Sequence, residues 1–241
     1  MSIDVQTSPD KVSLLRTELG MSLHLGLKHF DLEYLQSKNA ITHTAAGRGK
    51  VYFFRHADKE LVLRHYYRGG LVGKINKDHF IYTGIFQTRA FKELQILDFL
   101  NDQDINVPHP VAARIERFGF SYRADIITEV VADAQELHEM LKMHTVDDGL
   151  WVEIGKTLGK LHRLKVRHDD INVKNILVQG GKKIVLIDFD KCSRQAYGNW
   201  QSANLARFYR SLIKQSKGHQ PYYFTQSNWE SLQAGYAEIT S

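Results

Sequence analysis

The sequence His168-Asp169-Asp170-Ile171-Asn172-Val173-Lys174-Asn175 is followed, after two short apolar segments, by Asp188-Phe189-Asp190. The apolar segments are Ile176–Val178 and Ile184–Ile187, and each has the length and composition of a β-strand. They are joined through Gly180-Gly181, a dipeptide typical of a tight hairpin turn. This stretch therefore predicts a polar loop that leads directly into a β-hairpin and ends in a second acidic loop.

Three side chains in this stretch have the chemistry of phosphoryl transfer. Asp170 and Asn175 lie in the first loop, and Asp188 follows the hairpin, so the fold can bring all three to one point. One carboxylate, Asp170, would orient an attacking hydroxyl and accept its proton. The amide of Asn175 and the carboxylate of Asp188 would hold metal ions against nucleotide phosphates. The alternative interpretation is a polar loop and a buried hairpin whose acidic side chains only cap turns.

The pattern resembles the signature of protein kinases, a His-Arg-Asp loop with an Asn five residues after the Asp, followed by Asp-Phe-Gly. The resemblance assigns His168 to orienting the loop. Asp169 stands where protein kinases usually have Arg, and Asp190 replaces the glycine. The sequence also contains no Ala-Pro-Glu triplet. These departures remove regulatory parts of a protein kinase and leave the residues of the chemistry in place.

Length and composition are those of a globular protein. The chain has 241 residues, of which 43% are hydrophobic and 24% charged, enough for two lobes with a buried core. Cys192 is the single cysteine, which favours a reducing compartment because no internal disulfide can form. No stretch has the length of apolar residues that a membrane span requires. The net charge of +5 favours anionic partners such as nucleotide phosphates or lipid headgroups.

Hydrophobic periodicity predicts an α+β fold with two lobes. Residues 1–40 are predicted as an irregular, partly helical lead-in, followed by strands at 51–54, 60–66, 111–116 and 122–131 and one helix at 89–100. Helices are predicted at 137–143, at 150–164 and over most of the chain after Asn199. The first domain, 1–130, is thus predicted as a small antiparallel sheet with one helix, and the second, 131–241, as mostly helical.

The first half contains residues suited to binding a nucleotide. Gly47 and Gly49 resemble the start of a glycine-rich loop, in which backbone N–H groups approach phosphates. Arg64 occupies the place of the strand lysine of kinases, and Glu93 is its predicted acidic partner. Glu129 and Val130 end a strand just before the composition changes, which suits a hinge whose backbone binds adenine. The alternatives are a plain hairpin turn, surface charges and a core strand.

Beyond the kinase signature, the chain resembles the bacterial Kdo kinases, a lipopolysaccharide-core branch of the protein-kinase-like fold. The resemblance extends from about residue 45 to about residue 215 and includes the lipopolysaccharide heptose kinases as more distant relatives. The segments that carry it are 63–72, 88–93, 107–112, 122–125, 168–172 and 187–191. The Arg68-Gly69-Gly70 and Asp188-Phe189-Asp190 triplets are the most specific of these features.

The resemblance implies ATP and Mg²⁺ as cofactors and a hydroxyl of 3-deoxy-D-manno-octulosonic acid (Kdo), the 4-hydroxyl, as acceptor. It also implies work on a Kdo–lipid A precursor at the cytoplasmic side of the inner membrane, as a peripheral protein without a nucleic-acid partner. Arg68 and Arg89 are then predicted to bind the acidic acceptor, since guanidinium groups bind carboxylates and phosphates bidentately.

A basic helix face is predicted to contact anionic lipid, and its residues are Arg207, Arg210, Lys214 and Lys217. The alternative is that these residues form an ordinary solvent-exposed helix face with no lipid contact. Two alternative functions also stay open at this point. One is another small-molecule or protein kinase, a heptose kinase included, and the other is a pseudokinase that binds nucleotide without catalysis.

Overall fold

The computed structural model describes residues 3–46, 50–68 and 78–241. The chain forms two compact units, of which the first comprises Met1–Phe99 and Pro108–Val130 and the second Leu100–Val107 and Val131–Ser241. The change of unit after Val130 falls where the composition changes, but residues 100–107 were predicted in the first domain. They belong to the second unit because Asn106 bonds to the strand at 183–186. Asn106 Nδ2 donates to Ile184 O at 3.2 Å, and Leu186 N donates to Asn106 O at 3.0 Å.

The first unit is built on an antiparallel sheet. Its eight described strands run in the order β1-β2-β7-β8-β5-β4-β3, with β6 paired to β8. The strands are β1 Asp4–Thr7, β2 Val12–Arg16, β3 Ile41–Ala46, β4 Lys50–His56, β5 Lys59–His65, β6 Phe80–Ile81, β7 Pro110–Phe118 and β8 Ser121–Glu129. The helices are α1 Glu18–Ser22, α2 Leu32–Ser37 and α3 Arg89–Asp102, with short 3-10 helices at Leu27–Phe30 and Ile85–Gln87.

The prediction of an irregular, partly helical lead-in before residue 40 was right about the helices, which are α1, α2 and a 3-10 helix, and wrong in missing two strands. This segment supplies β1 and β2, and β2 joins the sheet by pairing with β7. The segment then covers one sheet face, because Leu25, Phe30 and Leu35 are buried against a core that includes Phe54 and Leu61. Local periodicity could not reveal these strands, since β2 pairs with residues about a hundred positions away in the sequence.

The second unit is mostly helical but also contains short sheets. Its helices are α4 Leu137–Met143, α5 Asp148–Arg163, α6 Trp200–Gly218 and α7 Gln226–Thr240, with a 3-10 helix at Val173–Asn175. Its strands are β9 Ala134–Glu136, β10 Val166–Arg167, β11 Ile176–Gln179, β12 Lys183–Leu186 and β13 Ser193–Arg194. The sheets have the orders β12-β11-β9 and β10-β13. The predicted hairpin is confirmed: β11 and β12 are antiparallel, and Gly180 and Gly181 have φ of +55° and +72°.

Helices α5 and α7 pack unusually close together. A Cβ added to Gly155 would lie 2.0 Å from Leu232 O, and one added to Gly235 would lie 2.1 Å from Val152 O. Glycine is required at both positions because any side chain would collide with the facing backbone. The two helices therefore meet backbone to backbone, and α5 is followed by β10 and then by the loop that carries Asp170.

The protein is thus a mixed α/β structure with an antiparallel sheet, as predicted from the sequence. Within the described part of the chain, no helix combines the length and the hydropathy needed to cross a bilayer. Gly47 and Gly49, the predicted phosphate-binding glycines, lie outside the described residues, as do Gly69 and Gly70.

Candidate active site

The loop that carries Asp170 is held together by its own amide side chains. Asn172 Nδ2 donates to Asp170 O at 2.8 Å, and Asn175 Nδ2 donates to the same oxygen at 2.9 Å. Asn172 Oδ1 also accepts from Lys174 N at 3.0 Å and caps the 3-10 helix that follows. The Asn175 amide nitrogen is therefore engaged within the loop, which leaves its oxygen as the atom suited to a metal ion.

Asp188 lies beside Asn175 because of the hairpin register. Ile176 pairs with Leu186, and Ile187 N donates to Asn175 O at 3.1 Å, so Asp188 follows a residue bonded to Asn175. Asp188 has a φ of +67°, a conformation that non-glycine residues adopt rarely and at some cost. Such strain is concentrated at functional sites, and it turns this residue out of the path of β12.

His168 supports both loops from the core. Its side chain is fully buried, and its Nε2 lies 3.0 Å from Ile187 O, the carbonyl preceding Asp188. Burial lowers the pKa of His168, although the nearby Asp188 and Asp170 raise it in part. The neutral ring is thus the form that fits, with Nε2 donating to the carbonyl. The predicted orienting role of His168 agrees with this contact.

Asn204 of α6 clamps the backbone of His168. Asn204 Nδ2 donates to His168 O at 2.9 Å, and Asn204 Oδ1 accepts from His168 N at 3.3 Å. The same oxygen lies 3.3 Å from His162 Nε2, and His162 Nδ1 lies 2.8 Å from Tyr236 Oη. A buried polar path therefore connects α7 through α5 and α6 to the loop of Asp170. Sequence reasoning missed Asn204, His162 and Tyr236, because no local pattern distinguishes them.

A testable consequence concerns His162, whose pKa burial lowers from 6.5 to about 4. Because the unfolded chain binds this proton at higher pH than the native protein, the free energy of unfolding falls as pH decreases from 6.5 to about 4. This side chain accounts for about 3 kcal/mol of that loss. In His162→Gln, the difference in unfolding free energy between those two pH values is expected to shrink by this amount. Urea unfolding measures it, with His144→Gln, an exposed histidine, as the control. An unchanged pH dependence in His162→Gln would contradict the assignment.

Arg207 contacts the predicted general base. Its Nη2 donates to Asp170 Oδ1, an ion pair between two partly exposed side chains. The sequence analysis placed Arg207 on a lipid-binding helix face; its guanidinium is engaged with the loop of Asp170, and the lipid contact stays a prediction. Arg210, Lys214 and Lys217 lie on α6 outside this contact. An Arg thirty-seven positions from its partner carries no signal in the sequence.

The first unit contains the predicted ion pair of Arg64 and Glu93. Arg64 Nη2 lies 2.5 Å from Glu93 Oε1, and Glu93 is 3% exposed. Tyr66 Oη donates to Glu93 Oε2 at 2.6 Å, and the Arg64 guanidinium lies 5.1 Å from the Tyr66 ring centroid. Tyr66 was not predicted, although Arg64 lies on the same strand face two residues earlier, which is a signal that could have found it. Glu93 and Tyr66 therefore hold the guanidinium of Arg64 in place.

The predicted hinge residues are engaged inside the first unit. Glu129 N donates to His109 O and Val130 N donates to Glu60 O, both at 2.9 Å, while Glu129 Oε1 pairs with Lys59. Both backbone N–H groups therefore already donate to carbonyl groups of the first unit. In a simple adenine-binding hinge they would donate to the base instead. The predicted adenine contact would have to use carbonyl groups or neighbouring residues.

Arg68 and Arg89, the predicted acceptor-binding residues, lie over the same aromatic ring. Their guanidinium carbons are 5.4 Å and 4.8 Å from the centroid of Phe80. Arg89 begins α3, and its backbone N–H donates to Tyr122 Oη at 2.9 Å. The structure therefore brings together two arginines that are twenty-one residues apart in the sequence.

Comparison with known proteins fits this arrangement. Residues 33–236 match the model of the lipopolysaccharide kinase (Kdo/WaaP) family. The chain belongs to the lipopolysaccharide kinase family. The sequence-based assignment to a phosphotransferase of this branch is thereby confirmed, and the pseudokinase and general protein-kinase alternatives lose their support at the level of family.

Three relatives illustrate the similarity, each named 3-deoxy-D-manno-octulosonic acid kinase. The protein from Photobacterium profundum is 39% identical over 207 residues, covering 86% of this chain and 87% of the relative. The protein from Actinobacillus succinogenes is 40% identical over 216 residues, covering 87% and 90%. The protein from Haemophilus influenzae (strain PittEE) is 40% identical over 215 residues, covering 86% and 89%.

Proposed function

We propose that this kinase transfers the γ-phosphoryl group of ATP to a hydroxyl of Kdo, the 4-hydroxyl, on a Kdo–lipid A precursor. The observation that carries the proposal is the local bonding of Asp170, Asn175 and Asp188. Asn175 donates to the backbone of Asp170 and accepts from the residue before Asp188, so one amide residue links the two acidic loops. The proposal that the acceptor sugar is Kdo comes from the names of the relatives, which are Kdo kinases of similar length.

Asp170 is the proposed general base. Its carboxylate accepts the proton of the acceptor hydroxyl as that oxygen bonds to the γ-phosphorus, while the bond from phosphorus to the ADP oxygen breaks. Arg207 donates to Asp170 Oδ1 and so fixes the direction of the carboxylate. The amides of Asn172 and Asn175 fix its backbone. Positioning is therefore provided by neighbours on both sides of the residue.

Asn175 and Asp188 are the proposed ligands of Mg²⁺. An amide oxygen and a carboxylate are hard oxygen donors, the set that this ion prefers, so the residues present fit the metal. When bound, Mg²⁺ neutralises charge on the phosphate oxygens. The chain's own contribution is to hold the two donors through the β11–β12 register and through the contact of His168 with the carbonyl of Ile187.

The first unit is proposed to contribute to both substrates. Arg64, held by Glu93 and Tyr66, would bind nucleotide phosphate in place of the usual lysine. The guanidinium groups of Arg68 and Arg89 would bind the carboxylate of Kdo or the phosphates of its lipid anchor. A lipid-anchored acceptor also implies that the protein acts as a peripheral protein at the cytoplasmic side of the inner membrane.

The proposal predicts acceptor-dependent turnover. With ATP and Mg²⁺ present, ADP release is expected to rise when a Kdo–lipid A precursor is added, and mass spectrometry of the product should show one added phosphate. NMR of the product assigns the modified hydroxyl. Phosphorylation of a heptosylated acceptor alone would instead favour a heptose kinase. Nucleotide binding without transfer to either acceptor would favour a pseudokinase.

A further inference from the structure

Three apolar side chains protrude at one end of the sheet in the first unit. Ile81 is 73% exposed, Phe118 is 48% exposed and Phe120 is 91% exposed. Phe118 ends β7, Phe120 lies in the turn that follows, and Ile81 pairs with Ser121, the first residue of β8. We call these three residues the hairpin patch. A single exposed phenylalanine is common on protein surfaces. Three exposed apolar side chains grouped at one hairpin and the strand beside it are typical of a surface that binds a protein or a membrane.

The hairpin patch is held firmly by polar contacts around it. Asp78 Oδ2 pairs with Arg123 Nε at 3.0 Å, and His79 Nδ1 lies 3.0 Å from Ser121 Oγ. Tyr82 N donates to Phe120 O at 2.9 Å, which fixes the residue that follows Ile81 against the hairpin. The apolar side chains are therefore presented on an ordered frame of strands and not by a loose chain end.

Arginine and lysine side chains lie next to the hairpin patch, and one of them, Arg123, is paired with Asp78. Arg117 is exposed, lies 4.6 Å from the Tyr82 ring centroid, and donates through Nε to Gly119 O at 3.0 Å. Lys11, also exposed, lies alongside, since Arg117 N donates to Lys11 O at 3.1 Å. The Arg123 guanidinium lies 5.6 Å from the Phe118 ring centroid. Aromatic tips with arginine and lysine at their base match an anionic bilayer, whose headgroups are negative and whose interior is apolar.

The proposed acceptor-binding arginines lie at the same end of the sheet as the hairpin patch, on the opposite face of β6. Arg68 and Arg89 are stacked over Phe80, the residue immediately before Ile81 in β6. A molecule bound by these guanidinium groups would lie at the end of the sheet from which Ile81 and Phe120 protrude, so insertion of that end would bring its acidic headgroup to the bilayer surface. The neighbourhood of an anion-binding pair and an apolar tip is the arrangement that a lipid-anchored acid requires.

We infer that the hairpin patch inserts into an anionic bilayer and brings Arg68 and Arg89 to the headgroup level, where they bind the acceptor. This inference deepens the proposed function and relies on it for the identity of the acceptor, but the membrane contact itself can be tested without the acceptor. It also replaces α6 as the main lipid-binding surface. Insertion of apolar tips, unlike attraction to Arg210, Lys214 and Lys217, keeps much of its strength when salt screens the charges.

The first test is co-sedimentation of the full chain with vesicles of phosphatidylglycerol and phosphatidylethanolamine. Ile81→Ser/Phe120→Ser is expected to bind roughly tenfold or more weakly, because the buried apolar area is lost. Met143→Ser/Tyr197→Ser, which removes two exposed apolar side chains elsewhere, should bind as the parent does. In Phe120→Trp, brominated lipid should quench the fluorescence that the substitution adds. Circular dichroism verifies the folding of each variant.

The second test separates this inference from the proposed function. With the precursor embedded in vesicles, Ile81→Ser/Phe120→Ser should raise KM by roughly tenfold while leaving kcat near the parent value, because uniform binding is lost and the chemical step is unchanged. With a deacylated, soluble acceptor, parent and variant should be equal. If the parent phosphorylates neither acceptor, the proposed function fails, and the vesicle result still decides the membrane contact.

Three outcomes would overturn the inference. Vesicle binding by Ile81→Ser/Phe120→Ser that equals the parent would exclude insertion of the hairpin patch. Binding that disappears only in Lys214→Ser/Lys217→Ser would return the contact to α6. A patch variant that alters self-association or protein capture while vesicle binding is unchanged would make the surface a protein interface.

Discussion

Replacement of Asp170 by Ala is expected to lower the rate of phosphoryl transfer by roughly 10²–10⁴-fold, the usual contribution of a positioned general base. The fold should survive, since the side chain is partly exposed and its neighbours bond to its backbone oxygen, which alanine retains. ATP binding should also be retained, because the carboxylate is assigned to the acceptor hydroxyl. Single-turnover transfer to the Kdo acceptor measures the loss directly.

The neighbouring Asp169 offers a matched control. Its carboxylate pairs with Arg167 at 2.5 Å, and no role in transfer is assigned to it. Asp169→Ala should therefore keep most of the activity, although it removes the same chemical group one position away. A purified, folded Asp170→Ala protein with more than half of the parent turnover would eliminate Asp170 as the base.

Replacement of Asp188 by Asn is expected to reduce turnover at fixed Mg²⁺ by roughly 10²–10³-fold, since charge stabilisation by the metal is worth several kcal/mol. Asparagine keeps the size of the side chain and tolerates the φ of +67°, so the change removes mainly the negative charge. The magnesium concentration needed for half-maximal activity should rise in the variant. Chelation of the metal should abolish the activity of the parent.

Asp133→Asn is the matched control for backbone effects. Asp133 is another aspartate of the second unit with a positive φ, of +50°, and its backbone oxygen accepts from Gly180 N. The same substitution there should leave both turnover and its magnesium dependence as in the parent. If Asp188→Asn showed an unchanged magnesium dependence, the metal would have to bind other residues.

Elements with strong local patterns could be predicted from the sequence. Helix α4 was predicted with the observed bounds, Leu137–Met143, and the hairpin β11–β12 followed from its glycines. The strands β1 and β2 were missed because β2 joins the sheet through β7, which lies far along the chain, and β1 pairs only with β2 among the described strands. Residues 100–107 were assigned to the wrong unit for the same reason, since Asn106 bonds to β12. Long-range pairing decides these cases, and short windows do not contain it.

The residues of the candidate site also divide into those with a local sequence pattern and those placed by long-range contacts. The arrangement of Asp170 and Asn175 is local, and its spacing was sufficient to predict which residues meet. The contacts of Arg207 and Asn204 with that loop come from α6 and depend on how the helix packs. Arg64 and Glu93 are an intermediate case, because each element was predicted and only their pairing needed the fold. The proximity of these loop residues could be predicted from the sequence, whereas the side chains that support the loop could not.

The two hydrogen bonds between the Asn204 amide and the backbone of His168 have a consequence for synthesis on the ribosome. The loop of Asp170 is translated before α6 and α7, yet Asn204 in α6 holds His168 through both backbone groups, and Tyr236 in α7 completes the path through His162. A nascent chain that has emerged only just past β12 thus carries Asp170, Asn175 and Asp188 without their anchor. Because chains fold progressively from the N-terminus, phosphotransfer competence should arise late and abruptly, when the last helices dock, and not in step with the appearance of the acidic residues.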